Sequence, residues 1–253
     1  MLIIRKEQEQ VFRKARWRDF EERLVEHVGR FFPNHMRVAG RETVANTVHF
    51  GVERGRSYGF DTERSLYLYT TVTFMLGSRF DEDPLYPWTA DFLGPTAIGR
   101  PGQRAAALAD RSLEFQEAVA GPQNRAINRV FLTINRDPTM LILPVEEGAE
   151  TAIIEARLRA LYPRKCELLD PIALSALVNR AVNGAMRYKM LRHGGVALYA
   201  YMTFLLGSHF DREPFLPWVQ ATLARTDLDE KSRVERLYSE TVVFLSDFLR
   251  QEV

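Results

Sequence analysis

The sequence has little cysteine and no apolar run long enough to cross a bilayer. Its 253 residues include one cysteine, Cys166, so no disulfide can form within the chain and nothing indicates an oxidising compartment. The longest uncharged stretch, residues 194–210, is shorter than the roughly 20 residues that a membrane-spanning helix needs. The N-terminal MLII is too short for the apolar core of a signal peptide. These features predict a cytoplasmic protein without membrane insertion.

The sequence also lacks charge of one dominant sign and any recognisable catalytic or metal motif. Thirty-four basic and thirty-three acidic residues give a net charge of +1, which argues against a nucleic-acid binder. The stretch Asp81-Glu82-Asp83 begins like a calcium loop, but the glycine and glutamate of that loop are missing. There is no phosphate-binding glycine-rich motif and no HExxH. We therefore assign no catalytic residue, no metal ligand and no cofactor.

The clearest positive feature is an internal repeat. Residues 73–88 read TFMLGSRFDEDPLYPW and residues 203–218 read TFLLGSHFDREPFLPW, at an offset of 130 with ten of sixteen positions identical. The same offset places Phe31-Phe32-Pro33 on Leu161-Tyr162-Pro163. A fixed period of this kind is the mark of a duplicated unit. The sequence therefore predicts repeat unit one at residues 1–120, a linker at 121–139 and repeat unit two at 140–253.

Apolar residues at helical spacing dominate both units and predict an all-α protein with about four to five helices in each unit. The third helix of unit one, about Thr62 to Leu76, is apolar almost all round, which is typical of a central, buried helix. The only β structure expected is one small strand pair between Met1–Ile4 and Met140–Leu143. For residues 130–143 two alternatives stay open, namely two short strands about Asp137-Pro138 or the end of a helix.

The repeated motif is G-S-x-F-D-x-[D/E]-P-x-x-P-W, and its first interpretation is a structural loop. We expect Asp81 and Asp211 to accept hydrogen bonds from the amides of their own turns. We also expect Trp88 and Trp218 to be mostly buried against the third helix of their own unit. The residues assigned to this structural motif are Tyr58, Gly77, Phe80, Asp81, Pro84, Pro87 and Trp88 in unit one, and Tyr188, Gly207, Phe210, Asp211, Pro214, Pro217 and Trp218 in unit two.

A second interpretation of the motif is a recognition surface. Acidic residues beside aromatic ones suit the capture of a basic or aromatic segment of a partner protein. Positions that differ between the two units are better candidates for partner specificity than identical positions. The candidate partner-binding residues are Glu82, Asp83, Tyr86, Arg212 and Glu213.

Several motifs together give a family resemblance. The opening MLIIRKEQEQVF is followed by F-x-x-R-x-x-x-H-x-x-x-F-F-P from Phe20 to Pro33, by G-x-x-R-x-x-x-Y-G from Gly51 to Gly59, and by the repeated motif. The chain thereby resembles a loosely characterised family of small bacterial helical proteins encoded beside type VI secretion cargo such as spike-tip proteins, toxins and immunity proteins. The resemblance covers about the first ninety-five residues and, in unit two, only the third helix and its motif. It implies an adaptor, chaperone or immunity role through protein contacts.

The leading hypothesis is thus a helical protein-interaction module whose partner is a secretion effector, toxin or spike component. One alternative is an enzyme that uses paired acidic residues of the motif in a cleft, and another is a helical regulatory protein. A deep pocket containing carboxylates with perturbed pKa values would favour the enzyme, a clustered basic face would favour a nucleic-acid regulator, and a broad apolar or acidic-aromatic patch would favour the adaptor.

Overall fold

The computed structural model describes residues 6–146 and 148–249, and these residues form twelve α-helices and no β-strand. The all-α prediction is confirmed. The helices are α1 (Lys6–Phe31), α2 (Pro33–Ser57), α3 (Glu63–Leu76), α4 (Ala90–Leu93), α5 (Pro101–Ala120), α6 (Arg125–Arg136), α7 (Glu150–Leu161), α8 (Pro163–Leu168), α9 (Pro171–Arg187), α10 (Gly195–Leu206), α11 (Pro217–Leu223) and α12 (Glu230–Leu249). Short 3-10 turns cover Phe80–Glu82, Pro87–Thr89, Pro122–Asn124, Pro138–Ile142 and Phe210–Arg212.

Proline and glycine set many of the helix boundaries. Five helices begin at a proline, because its ring fixes φ at a helical value and its missing N–H is not needed in the first turn. These helices are α2, α5, α8, α9 and α11. Helices α3 and α10 are each followed directly by a glycine, Gly77 and Gly207, whose φ values of 100° and 102° favour glycine. The chain therefore leaves both buried helices by the same kind of turn.

The two buried helices organise the core. Helix α3 packs against α1, α2 and α5, and α10 packs against α7, α9, α12 and the turn Pro138–Ile142. Every residue of α10 from Gly195 to Phe204 is buried, so the prediction of an apolar central helix is confirmed at this position. No helix in the described ranges has the length and apolar character that crossing a membrane would require.

Helix bounds recur along the chain at the offset read from the sequence. Helices α3 and α10 end at residues 76 and 206, and the turns that follow begin at residues 80 and 210. The last helices, α5 and α12, begin at residues 101 and 230, which differ by 129. One difference is that α2 contains a non-helical residue, Gly40 (φ 78°, ψ 162°), where the second series breaks fully between α8 and α9. We call residues 6–120 the first half and residues 140–249 the second half.

The joining segment departs from one of the sequence expectations. Residues 125–136 form α6, with Val130 and Ile134 buried at helical spacing, so the helical alternative for this stretch holds up to Arg136. Met140–Ile142 lies in a 3-10 turn that begins at Pro138, not in a strand. The other member of the expected strand pair, Met1–Ile4, lies outside the described residues. The strand pair is therefore not confirmed.

Candidate functional site

The two motif loops, residues 77–88 and 207–218, contact each other at the junction between the halves. The backbone N–H of Ser78 donates to Oε2 of Glu213 at 2.8 Å. In the opposite direction, the N–H of Ser208 donates to Oδ2 of Asp83 at 2.7 Å. Both carboxylates belong to side chains that are only 6% exposed. Each loop thus supplies a carboxylate to the first free amide after the buried helix of the other half.

The same two carboxylates also bind their own loops. Oδ1 of Asp83 accepts from the N–H of Leu85 at 2.9 Å, and Oε1 of Glu213 accepts from the N–H of Phe215 at 3.5 Å. Burial raises the pKa of both carboxyl groups, while these backbone amides oppose that shift by favouring the charged forms. The role of fixing the turn, which the sequence assigned to the preceding aspartates, is carried out by Asp83 and Glu213.

Asp81 and Asp211 have a different role from the one expected. Asp81 accepts a hydrogen bond from the Tyr58 hydroxyl and another from Nε of Arg54 at 2.8 Å. Asp211 accepts from the Tyr188 hydroxyl at 3.0 Å. The expectation that amides of their own turns bind them is wrong, because the 3-10 backbone already uses those amides. These aspartates instead attach each motif loop to the helix that precedes the buried one.

Two arginines at positions that are not equivalent also form contacts across the junction. Nη2 of Arg37 donates to the carbonyl oxygen of Asp247 at 2.6 Å, and Nε of Arg164 donates to the carbonyl oxygen of Ala118. Each arginine thereby binds the last turn of the final helix of the other half, where carbonyl groups lack helical partners. The exchange between equivalent positions is that of Ser78 with Glu213 and of Ser208 with Asp83, which is the pattern of an isologous dimer interface.

A histidine completes the polar contacts of the junction. Nε2 of His209 bonds to Arg180 of its own half and lies 3.5 Å from Oε2 of Glu82 in the other. Burial, followed by the charge of Arg180, lowers the pKa of His209 to about 4, so the ring is neutral at pH 7. The equivalent residue of the first half, Arg79, instead lies over the ring of Phe50. The sequence predicted neither the contacts of His209 nor that of Arg79 with Phe50, because this position holds histidine in one half and arginine in the other.

The tryptophans are mostly buried, as the sequence predicted, and their aromatic contacts are with the final helix of their own half. Trp88 and Trp218 are partly exposed. Their rings lie 6.2 Å from Phe115 of α5 and 5.8 Å from Phe244 of α12, respectively, measured between ring centroids. The contact expected with the third helix stays a prediction. Each tryptophan lies at the start of a short helical turn and covers the final helix of its own half.

An apolar cavity of about 480 Å³ lies at the junction. Side chains of α3, α5, α6, α10 and α12 form much of its wall. Two polar residues at equivalent positions of the halves also line it: His35 interacts with the backbone of Phe74, and Nζ of Lys165 donates to the carbonyl oxygen of Phe204 at 2.6 Å. The aromatic lining residues are Phe32, Phe74, Tyr86, Phe115, Phe131, Tyr162, Phe215, Phe244 and Phe248.

Burial shifts the titration of these two equivalent residues. It lowers the pKa of His35 to about 4, against a small opposing effect of the hydrogen bond with Phe74. It lowers the pKa of Lys165 to about 8, while the negative charge of Asp83 opposes that change. At pH 7 the first half therefore presents a neutral imidazole to the cavity and the second half an ammonium group. The sequence did not predict that His35 and Lys165 line a cavity, because the two residues are of different types and neither belongs to the repeated motif.

The predicted partner-binding residues fall into two groups. Asp83, Tyr86 and Glu213 are 5–6% exposed, and Asp83 and Glu213 bind the other half of the same chain, so a separate protein cannot reach them in this conformation. Glu82 and Arg212 have side chains that are 45% and 56% exposed. Of the predicted partner-binding residues, these two remain available to a partner.

Within the described part of the chain, no group of three or more His, Cys, Asp or Glu side chains is arranged to hold a metal ion. Searches of family models, of curated proteins and of solved structures each give no match to the chain.

Proposed function

We propose that this chain is a cytoplasmic protein-interaction module, an adaptor, chaperone or immunity protein for a secreted effector, toxin or spike component. The observation that carries the proposal is the position of the two motif loops. They meet at one junction, where the residues that hold the halves together are buried and the two that vary in charge, Glu82 and Arg212, remain exposed.

Of the two exposed positions, Arg212 is the better candidate for a partner contact. Glu82 is already engaged by Arg54 and lies near Arg79 and His209. Among the described residues, the ion pair of Arg212 is with Asp211 at 4.0 Å, which is the outer limit of such a pair. An exposed guanidinium with free donors can bind a partner's carboxylate in bidentate fashion.

We further propose that the halves are a tandem duplication of one helical unit. The recurring helix bounds and the exchanged contacts of Ser78 and Ser208 support this origin. Joining two units in one chain presents two related but differently charged loops on one surface. A single partner can then engage both with the gain in effective concentration that tethering provides.

The enzyme alternative has one observation in its favour, since the carboxyl group of Glu213 lines the cavity and burial raises its pKa. Both of its oxygens, however, accept backbone amides of Ser78 and Phe215. A carboxylate held in this way is poorly placed to transfer a proton to a substrate, so we favour a structural role for it.

The proposal is tested by co-purifying the tagged full chain with the products of neighbouring genes, in parallel with Arg212→Glu and the control Arg111→Glu. Arg111 is on α5, and its side chain is 47% exposed, similar to that of Arg212. We expect wild type and the Arg111 variant to retain a neighbour product and the Arg212 variant to lose it. Failure of every neighbour to bind wild type at micromolar concentration would remove the adaptor proposal.

A further inference from the structure

The junction cavity contains a buried positive charge that forms no ion pair with the described residues. Lys165 lines the cavity and is 8% exposed. Its Nζ atom donates to the carbonyl oxygen of Phe204 and lies 4.4 Å from the centroid of the same ring. Its remaining N–H donors have no acceptor in the described part of the chain. Buried charges in proteins are normally paired, because an unpaired ion loses its hydration without compensation.

The two carboxylates of the junction are bound by backbone amides and not by Lys165. Asp83 acts on the ammonium group through its field, but it does not line the cavity, and both of its oxygens accept amide N–H groups. Glu213 lines the cavity, and its oxygens likewise accept two amide N–H groups. The positive charge of Arg79 also favours the ionised form of Glu213. The ammonium is therefore the charged group of the wall whose hydrogen bonding is incomplete.

The rest of the described wall is mainly apolar and contributes no second cation. The other basic side chain that lines it is His35, whose ring lies 4.9 Å from those of Phe215 and Phe248, measured between centroids. Burial lowers the pKa of His35 to about 4, so the ring is neutral at pH 7. Leu113 lines the cavity and is 52% exposed, so the cavity reaches the surface beside α5. The site thus combines one positive charge, apolar walls and an opening.

We propose that the junction cavity binds a monocarboxylate with an apolar body, whose carboxylate forms an ion pair with the ammonium group of Lys165. The apolar body packs against the phenylalanine rings of the wall. Charge-assisted hydrogen bonds of this kind are roughly twice as strong as neutral ones. The volume of about 480 Å³ lies in the range of small-molecule sites, which is roughly 300–1,000 Å³. This inference goes beyond the proposed function, which rests on the exposed side of the motif loops.

The first test compares three probes that share one chain length and differ in charge, namely decanoate, decanol and decylamine. Each is titrated into the full-length protein at pH 7 and followed by calorimetry. We expect saturable binding of decanoate, with decanol weaker and decylamine weakest. Decanol is more apolar than decanoate, so burial of the chain alone would favour the alcohol. A preference for decanoate must therefore come from a positive charge, and this comparison needs no variant.

The second test removes that charge. Lys165→Met should weaken decanoate binding about ten- to hundredfold, the range for hydrogen bonds to a charged group, and should not weaken decanol binding. The matched control is Lys231→Met, which changes a lysine of α12 whose side chain is 62% exposed and which does not line the cavity. This control should bind all three probes as wild type does.

A third test examines the location without altering Lys165. Leu113→Trp should obstruct the opening and weaken binding of both decanoate and decanol. The control Leu132→Trp changes a side chain of α6 that is similarly exposed, at 57%, but lies outside the wall, and should bind normally. The inference is overturned if wild type binds decanol as tightly as decanoate, if Lys165→Met keeps the preference for decanoate, or if Leu113→Trp binds both probes as Leu132→Trp does.

Discussion

The two halves hold their motif loops by the same aspartate but with different partners. In the first half Asp81 binds Arg54 of α2 and Tyr58 at its C-terminal end, whereas in the second half Asp211 binds Tyr188 at the C-terminal end of α9. The position equivalent to Arg54 is Gly184. The hydrogen bond between the aspartate and a tyrosine is common to both halves, while the hydrogen bond to an arginine is found in the first half. The tyrosine–aspartate contact is therefore the minimum that this turn requires.

The glycine of the second half has its own structural reason. A Cβ atom at Gly184 would overlap the ring of Tyr199, which is 3% exposed and belongs to the buried helix α10. In the first half the equivalent of Tyr199 is Tyr69, which leaves room for the long side chain of Arg54. The same turn is thus stabilised by an ion pair in one half and by closer packing of two helices in the other.

The largest expected effect comes from breaking the close packing at Gly184. Gly184→Val should lower the free energy of unfolding by about 3 kcal/mol, the upper part of the range for overpacking a buried site. The control Gly102→Val lies in α5, where nothing would contact an added Cβ within 4 Å, and should change stability by less than about 0.5 kcal/mol. Urea unfolding of both variants measures the difference. Equal stability would show that Tyr199 moves aside freely.

The two aspartates should respond unequally to the same substitution. Asp81→Asn removes charge-assisted bonds and should lower the free energy of unfolding by about 1.5–3 kcal/mol. Asp211→Asn should lower it by only about 0.5–1.5 kcal/mol, because the amide oxygen can still accept from Tyr188. Thermal and denaturant unfolding of both variants compare the two sites. A larger loss at Asp211 would contradict the contribution assigned to Arg54.

The equivalent residues His35 and Lys165 should make stability depend on pH on opposite sides of neutral. The pKa of His35 is about 4 in the folded chain and 6.5 ordinarily, so the unfolded chain binds a proton more readily. The neutral ring therefore contributes fully to the free energy of unfolding above pH 6.5, and that contribution is lost as the pH falls towards 4. The pKa of Lys165 is about 8 against an ordinary 10.5, so stability rises between pH 8 and 10.5. In melting curves, His35→Gln should flatten the acid dependence and Lys165→Met the alkaline one. Two variants with unchanged pH profiles would place both side chains in water.

The smallest effects are expected at the two exposed motif positions. Arg212→Gln should change the free energy of unfolding by less than about 0.5 kcal/mol, as surface substitutions usually do. Glu82→Gln should lower it by up to about 1 kcal/mol, because a half-exposed ion pair with Arg54 is lost. Precise denaturant titration of both variants resolves this difference. The reverse order would indicate that Arg212 has an unrecognised contact.

The sequence predicted the helical class, the central helices and the offset between the halves, because apolar periodicity and local identity report them directly. It placed Asp83 and Glu213 on a recognition surface, because carboxylates normally face water. Their burial depends on amides of residues 125 to 135 positions away in the chain, and no local pattern encodes such a contact. The aspartates were identified as structural, but their partners lie on another helix and so could not be named.

The cavity was not predicted for a related reason. Its wall combines residues from both halves and from α6, which the sequence treated as a linker. A chemical site made of ordinary phenylalanine, tyrosine and leucine residues carries no motif.

The two ends of the cavity are not alike, and this has a consequence for anything that enters it. A homodimer built on the same exchanged contacts would carry identical side chains at equivalent positions, so a ligand could bind in two orientations of equal energy. This single chain places an imidazole at one position and an ammonium group at the other. The two equivalent positions of the cavity wall are therefore chemically different. A bound molecule has one lowest-energy orientation and should give a single set of resonances in an NMR spectrum.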